Sequence, residues 1–575
     1  MSLRARQNGM TLVEVLIATA IFIMLALALY GGATVLFSTV RSIRTKTVLT
    51  ELASQRMEFI RNLMYSDVGT VGGIPSGVIV PNETIVQNGQ SFLLSTTIRN
   101  VDNVDDGVLG GIPNDLSPAD NKLVHITASC ISCDRPQEIS YTSIVAPKQL
   151  ETENGNGVLM LKVVDANGQP VTGAEVRVTN TSLTPIVDMT DVTDSHGLLA
   201  IVDAPPSLQQ YRISATKDGY STEQTYPYGA VGNPTPTKPD LTVSAHTITQ
   251  DTFAIDRLSE LSFAARTPAC TPVSALPIDV TGAKLIGTPS VAKYAQTLTT
   301  DSGGNAVESA AEWDTYTVAL GSSAYRLVGT STPNPITIAP GTAHALRMLL
   351  VPTTFASFDV AVLDQAGTPI PNATITLTKS GTVSTYETGM SYHGGVNWST
   401  AVTSSTNLDA TTPGTVTLQA SNGIYPAEGE LVSQTIDMGT SGEMRSITWS
   451  AQTPSGTSIG LQFAANNDNQ TWNFVGPDGT SGTYFSSTPS MPYATGMRYL
   501  RYRIILATSD TTQTPQLSDL TIGTYAPCLL EHVFHVEGLP SGTYSMQVQK
   551  TGFATTSKTI TIPSTSYEAV TLTSL

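Results

Sequence analysis

An uncharged, apolar run near the N-terminus sets the first limit on how this chain folds. From Val15 to Val40, 26 consecutive residues lack a charged side chain. As an α-helix the run would extend about 39 Å, which exceeds the roughly 30 Å hydrocarbon core of a bilayer. Arg4 and Arg6 precede the run, so the positive-inside rule places the N-terminus in the cytoplasm. We therefore expect a single-pass membrane helix with the rest of the chain outside.

A lone carboxylate precedes this run. Glu14 would cost on the order of 2.5–3.5 kcal/mol at the centre of a bilayer and less near its edge, and such a group commonly marks a partner. Two other readings are a signal peptide and a plain membrane anchor. A signal peptide has an apolar region of about 7–15 residues and a small-residue cleavage site, such as the one at 26–28. Neither reading explains Glu14. We interpret Glu14 as a group that requires a cationic partner.

The residues around this carboxylate read GMTLVE, from Gly9 to Glu14, after a short basic leader. They resemble the signal sequence of type IV prepilins and type II secretion pseudopilins, although that family most often has Phe where this chain has Met10. The resemblance implies that a prepilin peptidase cuts the Gly9–Met10 bond and methylates the new amine of Met10. It also implies that Glu14, the fifth mature residue, pairs with the amine of a neighbouring subunit. The amine of Met10 and the carboxylate of Glu14 would each need an opposite charge in the low-dielectric interior of a membrane.

The apolar residues that follow Arg41 recur at helical spacing, so we expect one helix over 11–65. The strand-like runs SFLLSTTIR, KLVHITASC and EISYTSIVAP then predict a small antiparallel sheet. By its resemblance to pilins, the segment 10–148 is expected to form a pilin-like α+β domain after a leader of residues 1–9. The Asp-rich loop at 102–107 lacks the spacing of a calcium loop, which favours a solvated turn.

An internal repeat organises the rest of the chain. VVDANGQPVTGAEVRVTN from Val163 matches VLDQAGTPIPNATITLTK from Val362 at an offset of 199 residues. The pattern is similar to that of carboxypeptidase regulatory-like, transthyretin-like sandwich domains, which close with Lys-x-Gly-aromatic. That closing signature occurs at 217–220 and at 550–553, an offset of 333, so the second copy holds 134 additional residues. Loops of this length rarely lack structure, which predicts an inserted domain.

These observations predict a mainly-β array of Ig- or transthyretin-like sandwiches. The expected domains are a sandwich over 157–256, a second sandwich over 257–352, a split copy over 355–399 with 528–575, and an insertion over 400–527. The insertion faintly resembles the galactose-binding-like or discoidin-type jelly roll.

Charge and cysteine content exclude some functions. The net charge of −17 and the absence of a basic stretch beyond the N-terminal region argue against nucleic-acid binding. Cys130 and Cys133 flank a two-residue turn, for which a local disulfide and two free thiols both stay open. Zinc is disfavoured because no second CxxC or nearby His pair completes the ligand set. A bond between Cys270 and Cys528, both at domain boundaries, stays open as well.

Catalytic motifs do not stand out in the sequence. No G-x-S-x-G, H-E-x-x-H or phosphate-binding loop stands out, and His532 and His535 are three residues apart in a strand-like run, which directs them to opposite faces. We expect no enzyme activity, no metal and no cofactor. In the insertion, Trp449, Trp472 and Tyr484 are candidate contacts for a surface glycan or protein ligand, although core packing is favoured for the two tryptophans.

The sequence therefore predicts a minor type IV pilin-like subunit whose sandwich domains mediate adhesion. Its partners would be prepilin peptidase, the cytoplasmic membrane before assembly, and other pilin subunits in an extracellular pilus afterwards. Two alternatives stay open: a pseudopilin of a type II secretion-like system, and a surface lectin or glycosidase held by a simple membrane anchor.

Overall fold

The structure is a computed structural model that describes residues 11–575 apart from 104, 106, 110, 113, 134–135, 148–154, 355, 395–397, 399–400, 402, 413 and 487–492. The chain divides into two compact units. The N-terminal unit comprises residues 1–256 with 287–289, and the C-terminal unit comprises 257–286 with 290–575. In the described part a long helix comes first and β-strands follow, which confirms the predicted α+β start and mainly-β array.

The N-terminal unit begins with helix α1, Leu12–Arg61, and a short 3₁₀ helix, Tyr65–Asp67. The helix ends four residues before the predicted limit because Asn62 caps it, its side-chain amide donating to the carbonyl of Glu58 at 2.8 Å. We distinguish an apolar segment, residues 12–40, from a packed segment, residues 45–61. The buried residues of α1 all lie in the packed segment.

A small sheet covers the packed segment. Its strands are β1 (Asn82–Gln87), β2 (Gln90–Val101), β3 (Asn121–Cys130) and β4 (Glu138–Val145). They pair antiparallel in chain order. In β2 and β3 every second residue is buried, as expected for a sheet with one covered face. Leu94, Val124 and Ile126 meet Leu49 and Ile60 of the helix in one apolar core.

The first sandwich follows in the same unit. Its strands are β5 (Gly157–Val164), β6 (Glu175–Asn180), β7 (Val187–Val192), β8 (Leu198–Ala204), β9 (Ser207–Thr216), β10 (Glu223–Gln224), β11 (Leu241–Val243) and β12 (Ile248–Ala254). One sheet has the order β12-β5-β8, with β5 and β12 parallel. The other has the order β10-β9-β6-β7, and β11 adds to β9. Both inner faces contribute to a common core.

The same topology recurs in the second sandwich. Its strands are β13 (Ser259–Arg266), β14 (Pro277–Gly282), β15 (Leu285–Gly287), β16 (Val291–Ala292), β17 (Ala295–Thr299), β18 (Asn305–Ala311), β19 (Asp314–Leu320), β20 (Tyr325–Thr330), β21 (Ile336–Ile338) and β22 (Ala343–Pro352). β13 lies between the parallel β22 and the antiparallel β18, as β5 lies between β12 and β8. β14 lies between β17 and β19 in the facing sheet.

The split copy repeats this topology once more. Its strands are β23 (Ser357–Asp364), β24 (Thr374–Lys379), β25 (Thr382–Glu387), β36 (Val533–Glu537), β37 (Gly542–Gln549), β38 (Thr556–Ile562) and β39 (Tyr567–Leu572). β23 lies between the parallel β39 and the antiparallel β36. The repeated sequences build the same turn, since Asp165 and Asp364 each accept two backbone N–H bonds at 2.7–2.8 Å.

A buried threonine marks the start of the insertion. In the first two sandwiches, Thr193 and Thr300 open a short turn, and each accepts a backbone N–H bond from the residue that precedes β6 or β14. Thr388 occupies this position in the split copy and accepts the N–H of Ala373 at 3.0 Å. Residues 389–532 then take the place of the turn, which corrects the expected boundaries at 400 and 527.

The inserted strands extend the sheet of the split copy. They are β26 (Met390–Gly394), β27 (Thr403–Ser404), β28 (Leu408–Asp409), β29 (Thr415–Leu418), β30 (Glu428–Val432), β31 (Ile436–Asp437), β32 (Glu443–Gln452), β33 (Thr457–Asn466), β34 (Tyr499–Thr508) and β35 (Gln516–Tyr525). β26 pairs parallel with β36 and antiparallel with β35, giving the order β28-β29-β35-β26-β36-β23-β39, with β32 also on β35. The insertion was expected to be separate, but β26 makes this sheet continuous. A second sheet, β27-β30-β34-β31 with β33 on β34, faces it across an apolar core.

Candidate functional sites

The first turn of α1 holds the carboxylate that the sequence singled out. Thr11 is the N-cap, and its hydroxyl accepts the backbone N–H of Glu14 at 3.3 Å. Glu14 in turn accepts the backbone N–H of Thr11 at 2.9 Å. This reciprocal capping box satisfies two of the free donors of a helix start and favours negative charge there. Gly9 and Met10, the predicted cleavage and methylation residues, lie outside the described residues.

The apolar segment presents its side chains outward. Leu12 is 80% exposed and Phe22 is 72% exposed, and other large apolar residues between them are exposed as well. Among the described residues, α1 is long and apolar enough to cross a membrane by length and composition. So large an apolar surface requires lipid or other apolar helices around it. Glu14 is the only charged residue between Arg6 and Arg41.

Both cysteine pairs form disulfides in the structure. Cys130 bonds to Cys133 at the end of β3. Cys270 bonds to Cys528 across a sequence separation of 258 residues, within the C-terminal unit. Cys270 lies in the turn after β13, and Cys528 lies shortly before β36, so this bond ties the second sandwich to the split copy. Such bonds persist in oxidising compartments, outside the cytoplasm.

The three aromatic candidates of the insertion do not form one site. Trp449 packs partly against the core of the insertion. Trp472 lies under the guanidinium of Arg501, 4.3 Å from its ring centre. Tyr484 is 43% exposed. None of the three lines the large cavity found among the described residues.

That cavity lies in the C-terminal unit and has a volume of about 460 Å³. Its walls come from the second sandwich, the split copy and the insertion. The groups that decide its chemistry are His393, Trp398, Asp437, Tyr502 and Glu537. Sequence reasoning missed this site, because these residues are scattered over more than a hundred positions. One signal was present: His535 and Glu537, two residues apart, point to the same face of a strand.

A line of charged groups leads to the cavity wall. Arg326 pairs with the fully buried Asp359, which accepts a hydrogen bond from His535 at 2.5 Å. The other ring nitrogen of His535 is 3.2 Å from Glu537. Glu537 is also 3.2 Å from Nδ1 of His393, so two imidazoles hold its carboxylate. The charges alternate in sign along this line.

The pKa values of this line are strongly shifted. Burial pulls the pKa of His535 down, but the hydrogen bonds to Asp359 and Glu537 outweigh it and raise that pKa to about 9. Burial likewise raises the pKa of Glu537, but His393 and His535 outweigh it and hold that pKa far below its ordinary range. The two groups are therefore charged together at neutral pH. Among the described residues, no group of His, Cys, Asp and Glu is arranged to hold a metal ion.

Comparison with known proteins identifies the N-terminal site. Residues 4–30 match the family model for the prokaryotic N-terminal methylation motif. No curated protein matches this chain in sequence.

Similar solved structures include the TIE protein of Bacillus anthracis, at 13% identity and TM-score 0.16, over 54% of this chain and 67% of that one. A minor pilin of Streptococcus agalactiae is similar at 14% identity and TM-score 0.16, over 34% of this chain and 97% of that one. The shaft pilin SpaA of Lactobacillus rhamnosus GG is similar at 12% identity and TM-score 0.15, over 34% of this chain and 98% of that one. Scores this low carry no functional argument.

The motif and the helix lie in the same part of the chain. A prepilin-type motif opens α1, whose apolar segment is exposed and whose packed segment lies on a small sheet. The chain thus carries a prepilin-type methylation motif at residues 4–30, at the start of a helix that is long and apolar enough to cross a membrane by length and composition. The predicted resemblance to prepilins is thereby confirmed at residues 4–30.

Proposed function

We propose that this chain is a minor type IV pilin-like subunit. Prepilin peptidase cleaves it between Gly9 and Met10 and methylates the amine of Met10. Before assembly the apolar segment crosses the cytoplasmic membrane with the N-terminus inside. Assembly then packs this segment among those of other pilin subunits, and the sandwich domains are displayed at the cell surface for adhesion. The proposed function requires no enzyme activity of this chain.

The observation that carries this proposal is the position of Glu14. Glu14 follows Met10 by four residues in the sequence and lies on a helix whose apolar side chains are exposed. Cleavage creates a cationic amine on Met10, and an amine and a carboxylate in an apolar setting are each costly alone. Pairing Glu14 with the amine of a neighbouring subunit neutralises both charges, so assembly is favoured over the isolated subunit.

Steric size supports a minor role. Packed helices lie about 8–10 Å apart. A compact unit of roughly 300 residues, the size of the C-terminal unit, has a radius of gyration of about 19 Å. Each helix would therefore bring with it a body much wider than the helix spacing. Sparse incorporation or a place at the filament tip avoids this crowding.

The test replaces one carboxylate and leaves another on the same helix as a control. Glu14→Gln keeps the shape of the side chain and its capping contacts with Thr11 but removes the charge. We expect filament incorporation to fall at least about tenfold, with normal amounts of the subunit in the membrane, because the amine of the neighbour loses its counter-ion.

The matched control is Glu51→Gln. Glu51 is exposed in the packed segment and contacts Gln55 of the same helix. This variant should enter filaments at the normal level. The comparison is made by quantifying the subunit in sheared filaments and in membranes. Normal incorporation of Glu14→Gln would contradict the proposed pairing.

A further inference from the structure

The second sheet of the insertion has an outer face that points away from the apolar core. In β34, which lies between β30 and β33, every second residue is buried in that core, so Tyr499, Arg501, Arg503 and Ile505 point outward. Arg501 and Arg503 are therefore neighbours on this face, separated by the roughly 6.5 Å that two residues of a strand span. We call these two residues the arginine pair.

Aromatic rings hold both guanidinium groups of the arginine pair. The guanidinium carbon of Arg501 is 4.3 Å from the ring centre of Trp472, and that of Arg503 is 5.7 Å from the ring centre of Phe474. All four residues are half-buried, so solvent reaches them. A guanidinium that stacks on a ring keeps the N–H groups at its edge available for a planar anion such as a carboxylate.

Few acceptors meet these N–H groups in the part of the chain that the structure describes. Arg501 donates from Nε to the hydroxyl of Thr435 at 2.8 Å and forms no ion pair with a described carboxylate. Burial, with no anion to oppose it, lowers the pKa of Arg501. Arg503 donates no hydrogen bond to a described residue: its Nε is buried, and its Nη1 is 3.9 Å from Glu430, too far for a hydrogen bond. Because a guanidinium carries five donors, the arginine pair keeps most of its capacity to bind an anion.

Other stacked arginines of the insertion differ in this respect. Arg498 lies over a tyrosine ring and makes a bidentate pair with Asp437. Arg445 also lies over a tyrosine ring and pairs with Glu443. Each of these two guanidinium groups therefore has an acid of its own in the fold, whereas the arginine pair is left to find its acids in a ligand.

The charge on the outer face changes sign beyond the arginine pair. In the register of β30 with β34, Glu430 lies opposite Ile505 and Glu428 lies opposite Ala507, so both carboxylates share the face of Arg503. A uniform polyanion laid along β34 would meet these carboxylates after the arginines. An extended peptide can instead change its charge along its length, and its alternate side chains recur at the same spacing of roughly 6.5 Å. Acidic side chains at positions i and i+2 match the arginine pair, and a basic one at i+4 matches Glu430.

We propose that the arginine pair binds an extended segment of a partner protein that carries two acidic side chains at alternate positions. Each carboxylate accepts hydrogen bonds from one guanidinium, and a basic side chain two residues further on contacts Glu430. Of the three aromatic candidates, the site uses Trp472 and makes no use of Trp449 or Tyr484. The inference deepens the proposed adhesive function, on which it rests for its place at the cell surface, but binding by the purified chain does not require filament assembly.

The experiment uses the full chain in a nonionic detergent and a fluorescent peptide whose core reads Glu-Ser-Glu-Ser-Lys. Fluorescence anisotropy should show saturable binding that weakens as salt rises from about 50 to about 500 mM, because salt screens partly exposed charges. Two comparison peptides should bind at least about tenfold more weakly. One has glutamine in place of both glutamates, and the other reads Glu-Glu-Ser-Ser-Lys, which directs the two carboxylates to opposite faces. Absence of binding, or equal binding of the three peptides, would overturn the proposal.

Polyanions test the choice of a peptide as the occupant. Unlabelled peptide should displace the fluorescent peptide more effectively than polygalacturonate or single-stranded DNA does at the same concentration of negative charge. Stronger displacement by either polymer would show that uniform negative charge is what the face selects, which would refute the assignment to a peptide.

Variants locate the binding. Arg501→Gln and Arg503→Gln should each weaken binding of the peptide at least about tenfold, because each removes one of the two guanidinium groups. Arg445→Gln is the matched control, since it removes a stacked arginine that already has an acid, and it should stay within about twofold of the wild-type chain. Binding that survives both changes in the arginine pair would place the peptide elsewhere and overturn the proposal.

Two further measurements keep the result unambiguous. If a variant of the arginine pair fails to fold, a photoreactive copy of the peptide decides with the wild-type chain: crosslinks must fall in β30, β34 or the loop 467–486, and crosslinks confined to other segments overturn the assignment. Glu14→Gln, which blocks assembly in the proposed function, should bind the peptide like the wild-type chain. Failure of the peptide site and failure of the assembly proposal are therefore distinguishable.

Discussion

Each of the two candidate sites depends on one carboxylate side chain that has few hydrogen-bond partners. Glu14 bonds the backbone and hydroxyl of Thr11, and in a filament it would exchange or share these contacts with an incoming amine. Glu537 is held by His393 and His535 and lines the cavity. In both places the carboxylate keeps capacity to accept a further hydrogen bond.

The charged line through His535 predicts a pH dependence of stability. The folded-state pKa of His535, about 9, exceeds its ordinary value of 6.5, so its contribution is complete below about pH 6.5 and is lost as pH rises through about 9. At about 1.4 kcal/mol per pKa unit, the loss is about 3 kcal/mol. The pKa of Glu537 is lowered, so its contribution is present above about pH 4.5 and is lost only as pH falls further.

We therefore expect the wild-type chain to lose stability between about pH 6 and about pH 10. His535→Gln should be less stable at the lower pH and nearly insensitive to this change, because it cannot release the proton. Urea unfolding of the C-terminal unit at the two pH values measures this. His344→Gln is the control, since His344 contacts the hydroxyl of Thr342 rather than a carboxylate. A His535→Gln chain with the wild-type pH dependence would refute the account.

The two sites differ in how far sequence could predict them. Glu14 was predicted because it is the single charge beside a long apolar run, a local pattern. The cavity was not, because Trp398, Tyr502 and Glu537 are brought together only by long-range strand pairing. Sequence reasoning considered His535 only as a metal ligand and so passed over its neighbour Glu537.

The two ends of helix α1 lie in different environments. Its apolar segment has no cover in the described structure, whereas its packed segment is stabilised by the sheet β1–β4. Sequence predicted one continuous helix correctly, since apolar residues recur at helical spacing on both sides of Arg41. The end of the helix was placed too late because the capping contact of Asn62 is not visible in that periodicity.

Two isoleucines of α1 test how the helix packs on the sheet. Ile60 is fully buried against the sheet, and Ile43 is 59% exposed. Ile60→Ala should destabilise the N-terminal unit by about 2–5 kcal/mol, and the same change at Ile43 by less than about 0.5 kcal/mol. Urea unfolding followed by hydrogen exchange in β3 measures the difference. Equal effects at the two positions would mean that the helix does not pack on the sheet as described.

The position of the insertion was predictable from the sequence, but the pairing of its strands was not. Repeats at 199 and 333 residues located the interruption, and the buried threonines Thr193, Thr300 and Thr388 show why it falls where it does. An exposed hairpin turn tolerates added chain, because the strands on either side keep their pairing. The pairing of β26 with β36 was not predictable, since these strands lie far apart in sequence and alternation does not specify a partner.

The chain joins the long helix α1 to a series of related sandwiches. The Cys270–Cys528 disulfide, the apolar cluster around Val328, Leu349 and Val533, and the line from Arg326 to Glu537 connect the second sandwich with the split copy. The mainly-β class was predictable from short alternating runs and turn residues. The shared topology of the second sandwich was not, because its sequence keeps little in common with the first beyond a Thr-Asp-Ser-x-Gly turn at 300–304.

The proposed function depends above all on processing at the N-terminus. Mass spectrometry of the chain isolated from cells reads this directly. We predict that the first peptide begins with N-methylated Met10 and that the leader of residues 1–9 is absent. A first peptide that begins at Met1, or one that begins near Tyr30 after removal of the apolar segment, would contradict the account.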